Sequence, residues 1–391
     1  MRIPARPCTA CGARAAHEFL RLEQMPTRAC ALWATRSLAE QCARGDITLA
    51  YCERCGLIEN TTFAACATVH DQGYENALHF SPVFQQYAAQ LAGTLVERFA
   101  LRNKTIVEIG CGDGHFLELL CLLGANRGLG FDPSFDPRRT GGPRSGRVTI
   151  VADCYRHDGA AADAFIARQV FEHLPHPARF LARLRGTIGS HQDALVFFEV
   201  PNALKTLDDD TVWDVIYEHC SSFTAGSLAG MFARCGFEVA AAWEAYGGQF
   251  LAIAAHPSRS TQGTTGPASE SPGRVRAAVV RFARTHRDRI AAARRRIEAL
   301  ARTGKRAVLW GAGARGVSFL NLVGARTIRY VVDINPRKHG KFIPGTGQEI
   351  VAPDFLRRYQ PEVVIIMNPN YTGEIERDLA RLGLRCEVIH P

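Results

Sequence analysis

Three places in the chain put reactive side chains at spacings that chemistry can use. The stretch VIYEHCSSFT, residues 215–224, sets a phenol, an acid and a base side by side in Tyr217, Glu218 and His219. Three adjacent polar residues cannot all enter an apolar core, so at least one is exposed, hydrogen-bonded or aimed at a ligand. An imidazole near neutrality suits proton transfer. The plainer alternative is a loop acid bonded to a backbone amide and a His packed at a domain seam. Near the N-terminus, CTACG (Cys8, Cys11) and YCERCG (Cys52, Cys55) are matched C-x-x-C-G turns. Two such turns present four thiolates to one tetrahedral Zn2+, and with every position filled by protein the metal is expected to be structural. Idle thiols or redox disulfides are the alternative.

The third place is TIVEIGCGDGHFLELL, residues 105–120: a buried strand, a glycine turn and an apolar helix. Gly110, Gly112 and Gly114 let the backbone pass close to a ligand. Such a turn serves a nicotinamide cofactor as well as a methyl donor. Glu108 stands just before it, and Asp132 ends the next strand, where an acid suits the hydroxyls of a ribose. Asp153 ends a third strand and is expected at an adenine edge. Gln169 ends a fourth and is expected to face cofactor or substrate. Glu172 and His173 follow in FEHLPHP and are read as a cap or a gate to the cofactor.

The elements that must position these residues alternate strand-like and helical runs over 84–257, the pattern of an α/β unit with a mainly parallel sheet. A Ser/Thr/Gly/Pro-rich stretch, HPSRSTQGTTGPASESPG, follows and reads as a linker. Val279, Phe282, His286, Ile290, Ala293, Ile297 and Leu300 then recur at helical steps, predicting one long amphipathic helix. A second α/β unit with its own glycine turn, WGAGARG, closes the chain. The expected division is a zinc-binding domain over 1–65 and a cofactor-binding domain over 66–257, with 66–95 a connecting helix. A linker over 258–275 and a C-terminal domain over 276–391 complete it.

The formal charge of +9 comes from residues 274–306, with twelve Lys/Arg against two Asp/Glu, so the rest is near neutral and nucleic acid is not an expected partner. The arginines read as a solvated helix face. No apolar run approaches the roughly 18 residues of a membrane helix, and MRIPARPCTACG lacks the apolar core of a secretory signal. A cytoplasmic protein with no membrane partner is expected, as monomer or homodimer.

The order strand, EIGCGDG, Asp132, Asp153, QVFEH resembles class I S-adenosylmethionine-dependent methyltransferases. Two C-x-x-C knuckles before that core, YENALHFS at 74–81, and the tail GAGARG…VVDINPRKHGKFIPGT together resemble the deoxysugar C-methyltransferases. The resemblance implies a zinc domain, a Rossmann-like methyltransferase domain and a second Rossmann-like domain that closes over a nucleotide-linked keto-sugar. It assigns His219 as general base, forming an enolate that attacks the donor methyl, with Tyr217 and Glu218 assisting. It also points to Tyr74, Asn202, Arg315, Lys341 and Asn370 as substrate contacts. In that family the Tyr stands three positions before the His, where this chain has Ile216. The alternatives are O- or N-methylation of a natural-product intermediate and, from another class, a non-catalytic nucleotide-binding scaffold.

Overall fold

The computed structural model describes residues 6–64, 73–143, 145–156, 162–260, 270–325 and 327–391. Residues 261–269, half of the expected linker, therefore lie outside the described residues. The central sheet has seven strands: β1 (Thr105–Ile109), β2 (Arg127–Phe131), β3 (Val148–Val151), β4 (Ala164–Arg168), β5 (Leu195–Pro201), β6 (Phe237–Ala245) and β7 (Phe250–Pro257). Their order is β6-β7-β5-β4-β1-β2-β3. The first five run parallel, and β7 is antiparallel to both β5 and β6. β1, β4 and β5 are buried almost end to end, as parallel strands are when helices cover both faces. Helices Pro82–Arg98 and His115–Gly124 cover one face, and Pro177–Ile188 and Ala225–Arg234 the other. The chain reverses direction between β1 and β4, which opens a crevice at their carboxyl ends.

The N-terminal sheet is antiparallel and reaches beyond the expected boundary at residue 65. Its fifth strand, Ser221–Ser222, comes from the segment after β5 and pairs with Ile58–Asn60. The C-terminal sheet is wholly parallel, and its first strand, Ala307–Trp310, lies at the centre. Mixed α/β architecture is thus observed in both later units.

Helix Pro272–Arg302 runs as one piece, capped by Ser271 with Pro272 in its first turn. Val275, Ala278, Val279, Phe282, His286, Ala293 and Ile297 make its buried stripe, in one apolar core with Leu20 and Ile47 of the N-terminal sheet and Leu309 and Ile365 of the C-terminal sheet. Its arginines are not simply a solvated face. Arg281 binds Asp208 at 2.8 Å and the carbonyl of Leu207 at 2.9 Å, and Arg289 and Arg296 reach the carbonyls of Pro391 and His390 at 2.7 Å. The helix is a strut.

Phe282 is fully buried where that strut meets the other units. Phe282→Ala should destabilise the protein by about 3–5 kcal/mol, read as a lower midpoint in denaturant unfolding. A loss under about 1 kcal/mol would show that the helix does not hold the units together.

Candidate active site

The glycine turn after β1 has the backbone its sequence calls for. Gly110, Gly112 and Gly114 all sit at positive φ (70°, 57° and 81°), a region side-chain-bearing residues rarely adopt. At Gly110 a Cβ would strike Val170 at 2.2 Å, whereas at Gly112 it would enter open space, leaving the backbone bare toward the crevice. Asp132 holds the turn by accepting from the Gly112 amide at 2.7 Å, and its other oxygen accepts from Ser134. A cleft of about 420 Å³ opens beside this turn, lined by Glu108, Gly110, Gly112, Asp132, Tyr155 and Gln169 among others. Glu108 is buried with one carboxylate oxygen unpartnered, and burial pushes its pKa up to about 8 against the pull of Arg168. The bare backbone, the acid at the end of β2 and the unpartnered carboxyl fit an adenosyl amino acid.

A second cleft, of about 300 Å³, adjoins the first, and Tyr74, Gln169 and His173 line both. Of these two clefts, His219 and Ile216 line the second and not the first. Gln169 is held at φ 55°, a strained conformation for a residue with a side chain, by the 2.8 Å bond from its amide to the Glu199 carbonyl. Just beyond it the turn Phe171–His173 carries Glu172 and His173 into the second cleft. One carboxylate oxygen of Glu172 and one ring nitrogen each of His173 and His219 lie within 4.8 Å of one another. The far wall belongs to the C-terminal unit: Gly311, Gly313, Asp333, Lys338 and Asn368. The cleft can therefore hold a ligand between His219 and the glycine-turn cleft.

Residues 84–242 match the family described as a methyltransferase domain, and residues 245–385 match the C-methyltransferase C-terminal domain. The chain is an S-adenosylmethionine-dependent methyltransferase. It is 28% identical over 327 residues to the C-methyltransferase NovU of Streptomyces niveus, covering 78% of this chain and 77% of that one. Among solved structures, an O-methyltransferase family protein from Burkholderia thailandensis aligns at 14% identity over 45% of this chain and 56% of its own, with a TM-score of 0.36. The riboflavin-analogue dimethyltransferase RosA from Streptomyces davawensis aligns at 22% identity over 44% and 54%, also with a TM-score of 0.36. This chain spans just over half the length of each of these two structures.

The methyltransferase disperses several residues that its sequence suggested for the site. A tight turn, closed by the bond from the His219 amide to the Ile216 carbonyl, sends alternate side chains to different places. Tyr217 points into the N-terminal sheet, where its hydroxyl accepts from the Ala64 amide and its ring lies so close to Gly45 that a Cβ there would sit 2.4 Å away. Glu218 is buried beneath the cleft, its carboxylate accepting from the Ala29 amide at 3.0 Å. Neither lines the second cleft, and Ile216 takes the wall position instead. The one-residue shift of the Tyr is the physical reason. Asn202 caps helix Ala203–Asp208 and bonds the Gly248 carbonyl. Asn370 ties to the Tyr246 carbonyl and Gln249, while its neighbour Asn368 lines the cleft. Lys341 lies outside the lining, and Lys338 occupies the wall, buried against Asp333 at 3.3 Å. Arg315 does line it but is bound by both oxygens of Asp214. Asp153 pairs with Arg156 at 2.7 Å, and Cys154 and Tyr155 line the cofactor cleft in its place. Glu172, read as a cap, was the site residue hardest to foresee. Its only signal was adjacency to the end of β4.

The four cysteines converge as their spacing predicts. Cys8 and Cys55 sulfurs are 3.6 Å apart, Cys11 and Cys52 sulfurs 3.7 Å, and all four lie within 4.8 Å of one another. Disulfides are about 2.05 Å long, so these are thiols. Zn–S bonds of about 2.3 Å in a tetrahedron put sulfurs about 3.8 Å apart, which the cluster fits. The glycine after each pair, Gly12 and Gly56, is at positive φ and bonds back to the first cysteine's carbonyl.

Burial pushes the Glu218 carboxyl up to about 7, with the Ala29 amide and Arg28 opposing. The unfolded group titrates near 4.3, so the folded state holds this proton more tightly. The resulting stability is complete below about pH 4.3 and is lost as pH rises through about 7. Glu218→Gln keeps an acceptor for Ala29 and removes the titration. Its melting temperature relative to wild type should rise between about pH 5 and 7.5 and then level off. A difference that stays constant with pH in thermal melts would refute this account.

Proposed function

We propose that this enzyme methylates a carbon beside the ketone of a nucleotide-linked sugar, with His219 as general base. The observation that carries this reading is the placement of His219 in a cleft that shares Tyr74, Gln169 and His173 with the cofactor cleft. Carbon becomes a nucleophile only when deprotonated, and an imidazole within reach of the acceptor supplies that step. Glu108, Gly110, Gly112 and Asp132 would hold the methyl donor, which supplies an electrophilic methyl group when bound. The match to a C-methyltransferase C-terminal domain supports carbon as the target. The nucleotide is assigned to the Gly311–Gly313 turn, where the strand order of the C-terminal sheet reverses and Lys338 adds a buried cation. Tyr74 lies across from this turn and would contact the sugar. We assign Zn2+ to Cys8, Cys11, Cys52 and Cys55 as a structural ion. We divide the chain at residues 65, 257 and 275, with the strand Ser221–Ser222 joining the first unit.

His219→Ala should lose methyl transfer at least about 100-fold while binding S-adenosylhomocysteine as wild type does. Mass spectrometry with a panel of thymidine-diphosphate-linked 4-keto-sugars reads the first, and calorimetry the second. Wild type should also wash out deuterium from the α-carbon of the acceptor it methylates. Methylation with full retention of that label would instead indicate transfer to oxygen or nitrogen. For the metal, Cys8→Ser should fall from one zinc per chain to near none by elemental analysis. Unchanged zinc in that variant would place the ion elsewhere.

A further inference from the structure

A base alone leaves the enolate oxygen without a partner, and neither Tyr217 nor Glu218 reaches the cleft to provide one. Glu172 does. It is 2% exposed, it lines the cleft, and its Oε2 has no hydrogen-bond partner among the described residues. A buried carboxyl with an unmet oxygen is costly and calls for an explanation. The turn that carries it is rigid, because Phe171 is fully buried, stacked on Phe223 with ring centroids 5.1 Å apart and edge-on to Phe198 and Phe232. His173 is fixed too, through its Nδ1 at 3.0 Å from the Glu218 carbonyl, and its ring meets that of His219 edge to face at 4.9 Å.

We propose that Glu172 is the catalytic acid of this site, donating its proton to the ketone oxygen of the acceptor while His219 takes the proton from the adjacent carbon. This rests on the carbon-acid reading above. The two ends of an H–C–C=O unit need an acid and a base on opposite ends, each at about 2.6–3.2 Å. Atoms of Glu172 and His219 within 4.8 Å of each other satisfy that span. The C–H bond breaks and its electron pair forms the C=C bond. The carbonyl π pair moves to oxygen, which takes the Glu172 proton. The products are an enol, a carboxylate and an imidazolium. When the C=C pair attacks the donor's methyl carbon, the S–CH3 bond would break with its pair left on sulfur, the O–H pair re-forms the carbonyl and the proton returns to Glu172. His219 keeps the proton taken from carbon and later releases it to water.

Burial pushes the Glu172 carboxyl up to about 8, and the Glu199 charge on β5 adds to this against its own backbone amide. Around it lie His173 on the same turn, His219 and Cys220 on the facing loop, and Tyr74 on the segment before helix Pro82–Arg98. The group is therefore protonated at neutral pH, as a proton donor must be.

The test compares the full-length enzyme with Glu172→Gln, which keeps size and polarity but cannot give up a proton. The first measurement is the infrared carboxyl band. Wild type minus variant should show one protonated carboxyl at pH 7 that disappears with a midpoint near 8. The second is deuterium washout from the 4-keto-sugar probe with S-adenosylhomocysteine bound. The variant should exchange about 10- to 100-fold more slowly, and the fall in wild-type rate above about pH 8 should vanish in it, with S-adenosylhomocysteine affinity unchanged. Three results overturn the proposal. If no protonated band is lost at pH 7, Glu172 is ionised and cannot be the acid. If wild type and variant exchange equally, Glu172 alone is wrong and the base reading survives. If wild type itself shows no exchange with any probe, the carbon-acid reading falls and takes this role with it.

Discussion

The site depends on one excursion of the chain that touches all three sheets. Residues 202–224 leave the central sheet after β5 and return at helix Ala225–Arg234. On the way Ser221 and Ser222 join the edge of the N-terminal sheet, Asp214 grips Arg315, and the Val215 carbonyl accepts from Ser318 in the C-terminal unit. The base of the excursion is closed by a bridge between Asn202 and Phe223. Ordering a segment of this length is entropically expensive, and the cost is offset by burial of Val212, Trp213, Tyr217 and Phe223. His219 shares cavities with Leu49 and Ile58 of the N-terminal sheet and with Trp310 of the C-terminal sheet. Its orientation is therefore set jointly by all three units.

The same geometry explains the buried acids. Glu199 is compensated by the 3.0 Å contact to Arg168 and by the Tyr87 hydroxyl. Glu218 is compensated by a backbone amide. Glu108 and Glu172 each keep an oxygen with no hydrogen-bond partner among the described residues, and both face clefts. Burial outweighs the Arg168 charge at Glu108 and the backbone amide at Glu172, so both carboxyls are pushed up to about 8. Two carboxyls biased toward the neutral form thus stand at the clefts, while Glu199 and Glu218 are ion-paired or hydrogen-bonded.

Charge is used elsewhere for assembly. The arginine-rich helix Pro272–Arg302 carries most of the net positive charge, yet its guanidinium groups bind Asp208, chain-terminal carbonyls and Glu53 at the N-terminal sheet. A basic segment that ties parts of its own chain together has less free charge to offer a polyanion. The cluster of Glu75, Asp113 and Arg337 does similar work between the cofactor turn and the C-terminal unit, with contacts of 3.3–3.4 Å.

Local chemistry was legible in the sequence wherever a few adjacent residues suffice. The glycine turn, the two cysteine knuckles and the buried stripe of the long helix each follow from short-range rules about φ, ligand spacing and helical period, and each is found in place. That His219 stands near the glycine-turn cleft was implied by the family resemblance alone, and the cleft it lines adjoins that one. What tertiary structure alone decided is which of several neighbouring polar side chains faces the ligand. In Tyr217–His219, Asn368–Asn370 and Lys338–Lys341, the cleft takes one residue and packing or solvent takes the other. A shift of one to three positions in a turn rotates a side chain onto another surface. No local pattern records where the opposing sheet will lie. Glu172 is the sharpest case, because only the distant loop carrying His219 turns an acid at a strand end into half of an acid–base pair.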